Sequence, residues 1–291
     1  RDGSGGAGTN TAASTFGGGG PSAATELYNG TSWTKTVVDS FMYSPYGGTR
    51  VFMPDTTYTN DNAVHVLLDN TGKTHCFWAN AKVSDDLITN SSWVYYPGQV
   101  ELIYWNDSRT YGNLSVIGTW EDTDFNSTYD LSSGWFSSTT LYGTSSTNSM
   151  PSAGISSDGK IFCTYSALTE YDVNGNGENY RDVHITYSSD GGNNWSDPRN
   201  ITSQLGLGKE QAFPSIARTV NNKIHLTFTE SNDPGPNTAG KWDVKYLAID
   251  TAAITQNQNF TAGQFSSYSI VDTVLCKGKP LNYFLNNALQ I

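Results

Sequence analysis

The chain has 291 residues and a formal net charge of −11, and only 15% of its residues are charged. Hydrophobic content of 36% and aromatic content of 13% can fill a core and argue against wholesale disorder. With no basic stripe to neutralise phosphates, a nucleic-acid partner is not expected. No membrane span is expected either, because the best apolar run, "AVHVLL" at 63–68, falls far short of about 18 residues.

Residues 1–23 begin "RDGSGG" without a Met and are rich in Gly, Ser and Thr, which suggests a processed chain or part of a longer one. Next, "ATELYNGTSWTKTVV" (24–38) reads as the last two strands of a four-stranded unit. A repeat follows in "VHVLLDNTGKTHCFW" (64–78), "PSAGISSDGKIFCTY" (151–165) and "PSIARTVNNKIHLTF" (214–228). Each copy is strand, tight turn with a Lys (Lys73, Lys160, Lys223), then a strand ending in an aromatic residue. A third strand comes after a gap: "QVELIYW" (99–105), "DVHITY" (182–187) and "DVKYLAI" (243–249). The units span about 63–117, 151–203 and 213–255, with 118–150 as an insertion and 265–291 opening a further unit. Repeated four-stranded antiparallel units predict an all-β fold, a β-propeller over 24–291. The unit count suggests an incomplete ring or a chain that continues elsewhere.

In the middle copy the third strand runs into "SSDGGNNW" (188–195). Asp190 can accept hydrogen bonds from the amides that follow it, and the two glycines tolerate positive φ. The pattern Ser188-x-Asp190-x-Gly192-x-x-Trp195 resembles the Asp-box, or BNR repeat, of sialidase-like β-propellers. The resemblance implies a tryptophan that packs back between strands and staples the hairpin to its blade, a structural part.

Cys76 and Cys163 occupy the same place in two units, too far apart to pair, and read as buried thiols; Cys276 is the third cysteine. In a meander of this kind the tight turns share one face and the long connections share the other. Sites are usually built on the long loops, here 79–98, 167–181 and 230–242. In "DVNGNGENYRD" (172–182), Asp172, Asn174 and Asn176 fall at alternate positions as in a calcium loop. Glu178 or Asp182 could complete the ligand set. The same face gathers Trp93, Tyr95, Tyr96, Glu170, Tyr171, Tyr180, Arg181, Glu230 and Trp242, rings beside hydrogen-bonding groups that suit a sugar or a protein surface.

An active sialidase would need three arginines around a carboxylate and a Tyr/Glu pair. Of the six arginines, only Arg181 and Arg218 can be argued toward the long-loop face. No catalytic residue is therefore assigned. The expected function is recognition of glycans or proteins at the cell surface or outside the cell, or a part in a surface assembly that includes self-assembly. The alternative is a sialidase-like or other glycoside hydrolase. Eight Asn-x-Ser/Thr sequons, at Asn29, Asn90, Asn106, Asn113, Asn126, Asn194, Asn200 and Asn259, are candidate glycosylation positions.

Overall fold

The computed structural model describes residues 5–9, 12–16, 22–28, 33–40, 53–85, 94–96, 98–135, 146–235, 242–256 and 266–270. The described residues are almost entirely β. Strands β1 (Gly5–Thr9), β2 (Ala12–Phe16), β3 (Ser22–Tyr28) and β4 (Trp33–Ser40) pair in chain order as one antiparallel sheet. The second sheet holds β5 (Met53–Leu68), β6 (Thr74–Asp85), β7 (Val94–Tyr96), β8 (Leu102–Asn106) and β9 (Ser115–Gly118), with β7 paired to the far end of β6. The third runs through β10 (Asn148–Ser156), β11 (Ile161–Val173), β12 (Asn179–Ser188) and β13 (Arg199–Asn200). The fourth is built from β14 (Glu210–Ile216), β16 (Lys223–Ser231), β17 (Asp243–Asp250) and β18 (Ser266–Ile270), and β15 (Thr219–Val220) lies parallel to β10. One short helix, α1 (Thr251–Thr255), follows β17. Among the described residues no helix is long and apolar enough to cross a membrane.

Two boundaries differ from the sequence expectation. Residues 5–9 and 12–16 are strands, so 1–38 supplies four strands and not half a unit. Their Gly, Ala, Ser and Thr residues carry little apolar signal, but their backbone groups still find partners in a ladder. Residues 266–270 complete the sheet of β14, β16 and β17 and do not open a new one, and 271–291 lie outside the described residues.

The repeated hairpins form where the turn chemistry says they should. Asp69 Oδ1 accepts the amides of Thr71 (2.8 Å) and Lys73 (2.9 Å), and Ser156 Oγ accepts the Lys160 amide at 3.0 Å. The third sheet buries both faces, so consecutive residues of β11 are buried from Ile161 to Leu168, polar Thr164 and Ser166 included. Phe162, Val183 and Ile185 pack on Ile216, Leu226, Phe228 and Leu247 of the fourth sheet. Ile161, Cys163 and Tyr165 face Leu67, Phe77 and Tyr104 of the second. Each such large side chain contributes about 1.5–3 kcal/mol by leaving water. Cys76 and Cys163 are buried free thiols, pushed up from the usual pKa by that burial; Cys276 lies outside the described residues.

The 188–195 turn is closed by its own side chains. Asp190 Oδ1 accepts the amides of Asn193 (3.0 Å) and Asn194 (2.9 Å), and Ser188 Oγ accepts the Gly192 amide at 2.8 Å. The Asn194 amide, then its side chain, holds the Asp190 carboxyl down to about 2. Trp195 packs on the core cluster that the third sheet shares with the second. Its ring lies edge-on to Tyr104 and Phe77 of the second sheet, with centroids 4.9 and 6.0 Å away. Gly192, at φ 92°, sits where any Cβ would collide with the Tyr104 ring and hydroxyl. Glycine is required there because the two sheets meet backbone to ring.

Candidate functional site

Strands β5, β10 and β14 begin their sheets and lie side by side. Each breaks its ladder at an equivalent place. The register slips between Asn60 and Val64, between Ser149 and Ser152, and between Ala212 and Ser215, a β-bulge in all three. A residue other than glycine takes positive φ in each: Asn62 (70°), Met150 (61°) and Phe213 (55°). Such backbone costs on the order of 1–3 kcal/mol per residue and is retained mostly where a site uses it. Pro151 and Pro214 follow directly, at positions where a missing N–H costs the ladder nothing.

The three bulges open on one cavity of about 480 Å³. It is lined by residues 61–64 of β5, Met150 and Pro151 of β10, and Phe213 and Pro214 of β14. That volume suits a small organic ligand. The cavity lies toward the long connections, because Ser149 pairs with Ser166 while β11 runs on to Val173. Phe213 is half exposed, and its ring meets Trp242 at 6.5 Å in an edge-on pair.

Asp61 is the acid of this cavity. Its Oδ1 accepts the Ala63 amide at 3.0 Å, and its Oδ2 accepts the Ser146 amide (3.0 Å) and Ser149 Oγ (2.5 Å). Burial pushes its carboxyl up from 3.8 to about 6, against the opposing pull of those bonds and of Arg181. Between about pH 4 and 6 the folded chain therefore holds a proton that the unfolded chain releases. The stability from this group is full below pH 4 and falls as pH rises to 6, by about 3 kcal/mol. Subtracting the stability of Asp61→Asn from that of the wild type, by urea unfolding at each pH, should give this decline. A flat difference would mean an ordinary carboxyl.

The ligand-face residues expected from sequence are dispersed. Trp93 lies outside the described residues, Tyr95 sits within β7, and Tyr96 is exposed. Glu170 is buried, its carboxylate accepting Thr123 N (2.8 Å), Thr123 Oγ1 (2.9 Å) and Asp130 N (3.0 Å). Tyr171 is exposed, its hydroxyl 2.7 Å from Asp124 and 2.8 Å from Asp130. Tyr180 is buried and donates to the Asn232 carbonyl at 2.9 Å. Arg181 is also buried. Glu230 accepts Gln211 Nε2 at 3.2 Å and pairs with Lys245 at 3.3 Å. Trp242 meets the cavity wall, through Phe213.

The 172–182 residues also go separate ways. Asp172 accepts the Gly208 amide at 2.9 Å, and Asn174 Oδ1 accepts the amides of Asn176 (2.9 Å) and Glu178 (3.0 Å). Asn174 Nδ2 donates to Glu178 Oε2 at 2.7 Å, and Asp182 takes Asn200 Nδ2 at 2.6 Å. Among the described residues a different trio, Asp122, Asp124 and Glu170, brings carboxylate oxygens within 4.8 Å of one another. The alternating Asp122-x-Asp124-x-Asn126 was its signal within the segment read as an insertion. Of the sequons, Asn106 and Asn200 are buried, whereas Asn113, Asn126 and Asn194 are exposed; Asn29, Asn90 and Asn259 lie outside the described residues.

The class these features define is an all-β protein of repeated antiparallel sheets whose first strands bulge around a cavity. No protein family and no curated protein matches the sequence. Among solved structures, the chain is similar to the GH93 alpha-L-arabinofuranosidase of Fusarium graminearum in complex with arabinobiose, at 10% identity and a TM-score of 0.41. That likeness covers 92% of this chain and 66% of the other. It is also similar to the alpha-L-arabinofuranosidase of Lactobacillus brevis (10% identity, TM-score 0.45, covering 92% and 72%). A PL25 ulvan lyase is a third (13% identity, TM-score 0.42, covering 92% and 70%). The chain thus spans less than two thirds of the length of the first, at 66%, and somewhat more of the others.

Proposed function

We propose that the sheets are blades of a β-propeller and that the protein binds a neutral glycan at the bulge-lined cavity and cleaves it. Asp61 would donate the proton to the glycosidic oxygen. The observation that carries this reading is a buried carboxyl on the cavity wall, pushed up to about 6, where a general acid is most effective. Binding alone asks for no such group. The Phe213–Trp242 pair offers a ring for the C–H face of a sugar. An acidic sugar is disfavoured by the net charge of −11. Among the described residues the sialidase grip also finds no support; Arg1 and Arg50 lie outside them. Arg109, Arg181, Arg199 and Arg218 donate to backbone carbonyls of Gly192, Thr147, Ala253 and Leu68. A second carboxylate for a hydrolase would have to reach in from beyond the cavity lining, and Glu230, at the same end of the fourth sheet but paired with Lys245, is the candidate. Its substrate would place the protein outside the cell or on its surface.

Incubation with neutral and sialylated oligosaccharides tests the reading. Sugar release from neutral substrates only is expected. Release from sialylated substrates alone would remove the substrate class, and binding without turnover would restore pure recognition.

Calcium at 172–182 is a further proposal. An ion there would have to draw Asp172 from the Gly208 amide and Asn174 Oδ1 from its own turn. Calcium at 100 times its Kd should then add about 2.7 kcal/mol of stability. A melting temperature identical in excess calcium and excess chelator ends this proposal.

A further inference from the structure

The segment that grips Asp61 is itself held from behind by one buried cation. Arg181, on β12, donates from Nη1 to the Thr147 carbonyl (2.5 Å) and from Nη2 to the Ser146 carbonyl (2.9 Å). These residues lead into β10, and Ser146 N and Ser149 Oγ are two of the three donors on the Asp61 carboxyl. Behind Arg181 stands Glu210 of β14, whose Oε1 lies 3.9 Å from Nε and whose Oε2 accepts the Arg181 amide at 2.8 Å. The segment is tied on its other flank as well. Thr147 donates from N (3.1 Å) and Oγ1 (2.7 Å) to the Gln99 carbonyl. One chain of contacts thus runs from Glu210 through Arg181 and 146–149 to Asp61, crossing three sheets.

Folding alone gives little reason for it. A guanidinium and a carboxylate are costly to take out of water, and apolar side chains of similar volume often serve a core as well. We propose that Arg181 is a positioning residue, fixing 146–149 so that Ser146 and Ser149 hold Asp61 at the cavity wall and set the pH at which it gives up its proton. This deepens the assignment of Asp61 as proton donor and rests on it for its catalytic meaning. The charged groups around Asp61 are consistent with the role. Arg181 from β12 lowers its pKa, Glu210 from β14 stands behind that arginine, and His65 on β5 turns Nε2 to the Ala153 carbonyl. The bonds from Ser149, Ser146 and Ala63 lower it too.

The test follows the Asp61 carboxyl directly, by carbon NMR of protein labelled at aspartate, with the signal assigned through Asp61→Asn. In Ser149→Ala and Arg181→Lys its titration midpoint should rise by about one pH unit. The double variant Arg181→Met with Glu210→Gln removes both buried charges, so it stays foldable if the lysine variant does not, and should show the same rise. The pH profile of neutral oligosaccharide cleavage should move with the midpoint. A wild-type midpoint in folded Ser149→Ala and in the folded double variant would overturn the proposal. A shifted midpoint in a protein that cleaves none of the sugars would support the link from Arg181 to Asp61 while removing the catalytic reading.

Discussion

Replacing Asp61 with asparagine is expected to lower glycan cleavage by about 10²–10⁴-fold, the usual contribution of a positioned acid. Asparagine has nearly the same shape, but it cannot give up a proton at the pH where the Asp61 carboxyl, pushed to about 6, still can. Sugar binding should change far less, because the Phe213–Trp242 pair and the cavity walls remain. Loss concentrated in kcat with KM nearly constant is therefore the expected pattern. Equal losses in binding and turnover would instead mark Asp61 as a tether between β5 and the 146–149 segment. Unchanged turnover would remove it from the chemistry altogether.

The second large effect is on stability. Trp195→Ala should destabilise the fold by about 3 kcal/mol, as for other aromatic truncations at packed positions. It removes the ring that meets Tyr104 and Phe77, and with it the indole N–H that donates to the Gly192 carbonyl at 3.3 Å. Arg109 would still hold that carbonyl at 2.7 Å, and its cation still stands 5.0 Å over the Tyr104 ring, so the hairpin should stay docked loosely. Trp195→Phe should recover part of the loss. Urea unfolding measures both, and a cost below about 1 kcal/mol for the alanine variant would mean the two sheets are joined elsewhere.

How far such sites can be read from sequence depends on where polar residues end up. The repeat was legible because its signals are local: Asp69 and Ser156 close their own turns, and the strands between them carry the core. Loop lengths pointed to the same end of the sheets at which the bulge-lined cavity opens. What misled was the assumption that 167–181 is a loop. Residues up to Val173 continue β11, and β12 starts at Asn179, leaving a turn of five residues. Glu170, Tyr180 and Arg181 are therefore buried in or beside sheets and not displayed for a ligand. The Asn and Gly residues that resemble a calcium loop also close a hairpin turn, with Asn174 capping its own amides. Asp61 escaped notice because a lone acid before an apolar run looks like the edge of a strand. Its one visible clue was the pair of prolines, Pro151 and Pro214, each opening a copy of the repeat at a place where a strand should not tolerate one.

Arrays of similar units usually unzip from an end, since each touches only its neighbours. The contacts at the tight-turn side oppose that mode. Ile155 donates its amide to the Arg218 carbonyl at 2.8 Å, and Gly154 lies so close to the Ala217 carbonyl that no side chain fits between them. The Arg218 guanidinium reaches past its own sheet to the Leu68 carbonyl, 2.8 Å away at the end of β5. Fraying of the fourth sheet would thus pull on both the third and the second. Among the described residues the bulged end is joined between the inner strands by side chains, through the Asp61 cluster, Ser152 Oγ to the Ile216 amide and His65 to the Ala153 carbonyl, across ladders that the bulges interrupt. Slow amide hydrogen exchange should belong to the tight-turn end and breathing to the cavity end, so that the molecule can admit a ligand without loosening the joints that keep its sheets in register.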